Sequence, residues 1–266
     1  MRIACFLSTA IVLTFFLAMG IDLIVQGMSG FHLGYFFGPV LDSGRTGGIG
    51  PVIQSTFLIV FLAIMFATPM SLGGAILSVE ILAKYPRLSH FVRRTFDVMV
   101  SVPSIAVGLV GWSLFCQGLN LGFSILAGSM TLALMLAPIM TAAFIGGLDA
   151  VSKSIRRESL ALGVSRWHTL WLQVIPAAWP ALLAGVMLAL GRATAETAAL
   201  ILTSGISIHP PEGILDPGAT LAVHMYYLAR NVPGGEPMAY SAALALLLIN
   251  IVIYFLLSRL GRIVST

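Results

Sequence analysis

The chain has 266 residues, of which 58% are hydrophobic and only 9% charged. Soluble globular domains carry about a quarter charged residues, so this composition excludes one and specifies a polytopic membrane protein. The formal net charge of +4 does not imply nucleic acid, because the basic residues fall beside apolar runs, where they mark membrane orientation.

The first apolar run, Ile3 to Val25, follows only Met1 and Arg2 and has the roughly 20-residue length of a spanning helix. A cleaved signal peptide is the competing reading, with Ala18-Met19-Gly20 as a loose small-x-small site. The run exceeds the about 7–15 residues of a signal core, so an uncut first helix is expected. Gln26 to Gly50, rich in glycine and carrying Asp42 and Arg45, reads as an external loop. A second run starts at Pro51, a residue suited to the first turn of a helix, and continues to about Val79 with Pro69 inside it, which should kink it.

Glu80 to Asp97, with Lys84, Arg87, Arg93 and Arg94, reads as an internal loop. A third run covers Val98 to Cys116, and its Ser101-Val102-Pro103-Ser104 segment puts hydroxyls beside a second kink. After a short turn from Gln117 to Leu121, a fourth run reaches Gly147. The basic, amphipathic segment Asp149 to Pro176 is too polar for hydrocarbon, and the fifth span follows from Ala177 to about Thr203. Ser204 to Pro237 holds Pro210, Pro211, Pro217, Pro233 and Pro237, which argues for an external loop with short ordered pieces. The sixth span runs from Met238 to about Leu257, and the tail from Ser258 to Thr266 is basic. The expected fold class is all-α with six transmembrane helices.

Charge tests this topology. Arg2, Lys84, Arg87, Arg93, Arg94, Lys153, Arg156, Arg157, Arg166, Arg259 and Arg262 fall on one side; only Arg45 and Arg230 fall on the other, and Arg192 is inside a span. Short cytoplasmic loops collect Lys and Arg, so both termini and the Asp149–Pro176 segment are expected in the cytoplasm. The expected organisation is a first helix with its external loop over 1–46, a transmembrane domain over 47–258 that includes the cytoplasmic loop 149–176, and a cytoplasmic tail over 259–266.

Cys5 and Cys116 lie at opposite ends of spans, about a 30 Å hydrocarbon core apart, so no disulfide joins them. His32, His90, His168, His209 and His224 show no paired ligand spacing, and no metal or other cofactor is expected. The two lysines, Lys84 and Lys153, do not follow the glycine of a phosphate-binding loop. Any ATP used must be hydrolysed by another chain, and the chain is not expected to be an enzyme.

At Arg157-Glu158-Ser159-Leu160-Ala161-Leu162-Gly163, with Ile175-Pro176 thirteen residues beyond the glycine, the chain resembles the EAA coupling loop of ABC importer permeases. In that family a short helix before the glycine docks into a groove of the ATPase. Alignment on Gly163 and Pro176 puts Arg157 where the family has glutamate, with Glu158 one place later, so the family's glutamate contact is displaced here. The same amphipathic segment also fits a lipid-facing helix, with Arg156, Arg157, Trp167 and Trp171 at the headgroups. Four further stretches resemble the PstA-type permeases of phosphate ABC importers. These are Gly47-Gly48-Ile49-Gly50-Pro51, Val102-Pro103-Ser104-Ile105, Leu190-Gly191-Arg192-Ala193-Thr194-Ala195-Glu196-Thr197-Ala198, and Thr220-Leu221-Ala222-Val223-His224-Met225-Tyr226, the last with Ala222 in place of a proline.

The resemblance implies a bacterial-type inner-membrane permease that provides half of a phosphate pathway. Its partners would be a second permease resembling PstC, two copies of an ATP-binding subunit, an external phosphate-binding protein and membrane lipid. Arg192 and Glu196 carry the sharpest expectation. A charge at the centre of a spanning helix costs about 2.5–3.5 kcal/mol on a translocon scale, and the i, i+4 spacing puts both on one face. One reading is a self-neutralising pair that sets packing, helped by the small stripe Gly185, Ala189, Ala193. The other is a pathway: the guanidinium fork of Arg192 meets oxyanion oxygens, Glu196 orients it or meets the partner permease, and Ser101, Ser104, Thr197 and Thr203 supply neutral donors. Another oxyanion, or a regulatory pseudo-permease, remains open.

Overall fold

The computed structural model describes the backbone of residues 2–264 and the side chains within that range apart from those of residues 2–5, 33 and 260–264. Cys5, Arg2 and Arg262 therefore have no described side chain, and the last two residues of the tail lie outside the described residues. Among the described residues the chain is helical nearly throughout, and five helices are long and apolar enough to cross a membrane, or six when one sharply bent pair counts as a single span.

The first helix, α1 (Arg2–Gly27), is exposed along almost its whole described length and packs mainly against the last helix. A short helix α2 (Leu33–Phe37) and a two-residue hairpin of β1 (Val40–Leu41) and β2 (Thr46–Gly47) follow, where a bare loop was expected. Gly47 closes the hairpin with φ +89°, and a Cβ there would stand 2.4 Å from the Pro39 carbonyl, so no larger residue fits. Next, α3 (Gly50–Ile76) opens with Pro51 in its first turn and contains Pro69 within one unbroken helix. It then widens into a π-helical turn at Leu77–Ile81 and tightens to a 3₁₀ turn at Leu82–Lys84.

Two expectations about the middle of the chain give way to a different geometry. Pro86–Val100 is not a loop but a helix, α4, and the following helix α5 (Ser104–Gly111), extended by a π-helical segment to Gly118, is bent from it by 97°. Val98–Val100 therefore belong to α4, ahead of the bend, and not to the same helical piece as Cys116. Local chemistry ends α4 there: Pro103 has no N–H and disfavours a helical Val102 before it, so the ladder stops at Ser101.

The fourth span, α6 (Ile125–Ala150), is the most buried helix and forms the spine. It packs against α3 on one side and α9 on the other, where Ile175–Thr194 forms α9. Small residues allow the approach: a Cβ on Gly147 would meet Ala181 at 2.8 Å, and one on Gly185 would meet Ala143 and Phe144 at 3.0 Å. Lipid supplies no hydrophobic drive between helices, so such close seams, with their dispersion contacts, hold the bundle. Ala189 and Ala193 continue that seam, both fully buried.

Between α6 and α9 lie α7 (Lys153–Ala161), a left-handed glycine turn at Gly163 (φ +77°), and α8 (Arg166–Thr169). The entry into α9 is the second departure from expectation. From Arg166 the helix runs through a π-helical turn at Leu170–Val174 directly into α9, so Pro176 lies inside a continuous helix and ends nothing. At the other end α9 stops at Thr194, and after a break at 195–197 a single turn, α10 (Ala198–Ile201), resumes. The fifth span is thus two pieces, not one run to Thr203. Helices α11 (Leu221–Asn231) and α12 (Glu236–Val264) complete the chain, and α12 carries the basic tail as continuous helix as far as Val264.

Candidate functional site

The break in α9 lies level with the middle of the last span. Thr194, its last residue, donates its hydroxyl to Asn250 Oδ1 at 2.7 Å, and Asn250 sits near the middle of the Glu236–Arg259 span. The same hydroxyl also reaches the carbonyls of Leu190 and Gly191 at 3.1 Å. A threonine that bonds its own preceding turn competes with the helical ladder, and here it does so one residue before the ladder ends. Asn250 is held in turn by donating Nδ2 to the Leu246 carbonyl at 2.9 Å.

Arg192 and Glu196 flank this break, and the structure treats them unequally. Their ion pair is loose, 3.7 Å from Nη2 to Oε2; the Arg192 side chain is 52% exposed and that of Glu196 only 7%. Glu196 accepts the Ala199 amide at 3.5 Å, so its carboxylate serves the start of α10 as well as the arginine. Arg192 instead borders an open cavity of about 850 Å³ between α9 and α12, with Pro180, Met187, Tyr254 and Ser258.

The other expected pathway residues are not gathered with Arg192. Thr197 lines a different cavity, of about 920 Å³, with Ile105, Tyr226, Arg230, Glu236 and Tyr240. Ser104 starts α5 immediately before Ile105, and α5 and α10 touch backbone to backbone, since a Cβ on Gly108 would stand 2.8 Å from the Ala199 Cα. Ser104 and Thr197 thus begin neighbouring helical pieces. Ser101 is exposed on the corner, with its hydroxyl on the Asp97 carbonyl at 3.4 Å. Thr203 is fully buried and donates to the Ala199 carbonyl, so it is no free donor.

The basic segment divides at Gly163. On α7, Arg157, Glu158 and Ala161 are exposed, and a Cβ on Gly163 would meet nothing within 4 Å, so this turn projects from the bundle. Ser159 faces the other way: it is buried and donates to Gln173 Oε1 at 2.6 Å. It cannot belong to an exposed docking face together with its neighbours. Pro176 lies beyond the glycine turn, at the start of α9 and not on α7. Arg156, one residue before the motif, proves the best connected side chain of the segment. It reaches Glu80 Oε1 from Nε at 2.9 Å, the Val151 carbonyl from Nη1 at 3.0 Å and the Leu148 carbonyl from Nη2 at 3.0 Å.

Glu80, Arg156, Gln173 and Asn250 were not picked out as site residues from the sequence. Asn250 carried a readable signal, a lone amide inside Leu246-Leu247-Leu248-Ile249-Asn250-Ile251-Val252, because intramembrane polar residues pair with something. Glu80 and Arg156 carried none, since nothing local relates two residues 76 positions apart.

Residues 70–265 match the family model described as binding-protein-dependent transport system inner membrane component. Among curated proteins, the chain is 29% identical over 268 residues to the probable ABC transporter permease protein YqgI of Bacillus subtilis (strain 168), covering 95% of this chain and 90% of that one. It is 30% identical over 266 residues to the phosphate transport system permease protein PstA 2 of Mycobacterium tuberculosis (strain CDC 1551 / Oshkosh), covering 98% of this chain and 85% of that one. Among solved structures, the MetNI methionine ABC transporter in an inward-facing conformation superposes with a TM-score of 0.67 at 15% identity, covering 82% of this chain and 96% of the other. That likeness is one of fold.

Proposed function

Because the chain belongs to the binding-protein-dependent transport-system inner-membrane components, the multi-pass permease subunits of ABC importers, we propose that its solute is inorganic phosphate. As a permease of that family it is a transport subunit, and it acts with a further permease and with ATPase subunits. In this reading the second permease is of the PstC type, two ATP-binding chains sit beneath, and an external binding protein delivers phosphate.

One observation carries the reading: Arg192 is a half-exposed cation within a membrane-spanning helix, and its carboxylate partner is buried and also engaged by the Ala199 amide. A pair that existed only to neutralise itself would be tight and enclosed, because separated charges in low dielectric are costly. A guanidinium facing an open cavity, with a fork matched to tetrahedral oxyanions, fits a passing phosphate. The names of relatives such as the PstA 2 permease support the same solute. Glu196 then holds the start of α10, while Ser104 and Thr197, at the starts of adjacent helical pieces, offer hydroxyls on the neighbouring cavity. The exposed face of α7 with Arg157, Glu158 and Ala161, ended by Gly163, is the part that meets the ATPase. Closure of the ATPase pair displaces it and shifts the bundle between two accessible states.

Uptake of labelled phosphate in cells lacking this chain tests the reading. Loss of uptake, restored by the chain and not competed by sulfate or molybdate, supports it. Competition by those ions assigns another oxyanion, and undiminished uptake assigns a regulatory pseudo-permease.

A further inference from the structure

Two of the chain's π-helical turns lie at the base of the bundle, and each holds one polar partner of α7. Glu80 is in the turn Leu77–Ile81 at the foot of α3, and Gln173 is in the turn Leu170–Val174 at the foot of α9. Arg156 reaches the first at 2.8 Å, and Ser159 reaches the second at 2.6 Å. Arg156 also fills the carbonyls of Leu148 and Val151 at the end of α6, where a helix has no backbone partners of its own. A single short helix is thereby bound to the ends of all three central helices by charge and hydrogen bond.

We propose that Arg156 and Ser159 are positioning residues that seat α7 on these two widened turns, so that any displacement of α7 is delivered to α3 and α9 together. This rests on the reading of α7 as the ATPase-coupling helix, and it holds whichever solute is carried. The physical case has three parts. A π turn holds an extra residue with poorer hydrogen-bond geometry, and such turns recur at functional sites as places where a helix can change register. The planar guanidinium donates to three separate acceptors, which fixes its orientation as a lysine would not. Beside the joint is a cavity of about 270 Å³ lined by Glu80, Asp149, Lys153, Arg156 and Thr169, roomy enough for several waters. A hydrated polar joint can shift without repacking an apolar core, whereas the close Gly147–Ala181 and Gly185–Ala143 seams above it make the helices move as one body.

The test uses the complete complex, with its partner permease and ATPase chains, in proteoliposomes supplied with binding protein and labelled phosphate. Assembly, ATP hydrolysis, the KM for phosphate and phosphate imported per ATP are measured. The Arg156→Ala/Ser159→Ala double variant is expected to assemble and hydrolyse ATP with an unchanged KM while importing roughly tenfold less phosphate per ATP. Arg156→Lys and Ser159→Thr should restore part of that ratio. Should the double variant not assemble, Glu80→Gln and Arg156→Lys carry the test, and a normal ratio in both overturns the inference. A raised KM at an unchanged ratio overturns it as well. Gly163→Asp separates the two layers: a normal ratio there overturns the coupling assignment and this inference with it. A low ratio there with a normal one in the double variant overturns this inference alone.

Discussion

The hydroxyl of Thr194 donates to the side-chain oxygen of Asn250 at 2.7 Å, tying α9 to α12 at the point where α9 stops. Hydrogen bonds between membrane helices average about 0.6 kcal/mol and reach about 1.7. Thr194→Val keeps the shape and removes the bond, so the complex should remain assembled with thermal stability lowered by about that amount. Transport should fall more than stability does, because the position of the break changes. Calorimetry and uptake on the same preparation check this; full uptake with reduced stability would confine the contact to packing.

Arg192 gives the clearest division between pathway and packing. Exchanging the two charges is a poor test, since position 196 is buried and must accept the Ala199 amide, which an arginine cannot do. Arg192→Lys and Arg192→Gln are cleaner, because the side chain is half exposed and its loss leaves Glu196 with its backbone donor. Both variants should assemble, and phosphate uptake should drop by about tenfold or more, the worth of one hydrogen bond to a charged group. Near-normal uptake by assembled Arg192→Gln would return the pair to a packing role.

Gly163 holds φ +77° in a turn where a Cβ would meet nothing within 4 Å. Gly163→Asp adds backbone strain of about 1–2 kcal/mol and a charge on the projecting corner, without meeting any neighbour. The chain should still insert, and ATPase binding measured by co-purification should weaken. Unchanged co-purification and transport would remove the turn from the coupling surface.

His224 on α11 is 1% exposed, its Nδ1 has no hydrogen-bond partner, and its ring lies against Gly44. Burial pushes its pKa down to about 4, against about 6.5 in an unfolded chain. As pH falls the unfolded state takes up the proton first, so stability is full above about pH 6.5, declines between about 6.5 and 4, and levels off below. The total is on the order of 3 kcal/mol. Thermal unfolding of the purified complex between pH 7.5 and 5 should show this slope, and His224→Phe should flatten it; equal slopes would point to another group.

The Lys and Arg asymmetry predicts cytoplasmic termini. A fusion of alkaline phosphatase after Thr266 should be inactive and a fluorescent-protein fusion there bright. An active phosphatase would overturn the orientation, and with it the cytoplasmic placing of α7.

Hydropathy and charge made the membrane class and the approximate spans readable, because lipid imposes length and apolarity locally on each helix. Pro103 announced a kink, although the full 97° corner and the separate helix α4 depend on what packs against them. The glycine turn at Gly163 was equally local, since a left-handed residue leaves its mark in composition. Other features had no local cause. The stretch Ala193-Thr194-Ala195-Glu196-Thr197-Ala198 contains neither glycine nor proline, and it breaks where Thr194 meets Asn250 and Glu196 turns to the Ala199 amide. The i, i+4 rule put Arg192 and Glu196 on one face, but only packing buried one and exposed the other. It also turned Ser159 inward to Gln173 and brought Arg156 to Glu80, because a polar group leaving water takes whichever partner the neighbouring helices supply, and sequence spacing carries no record of that partner.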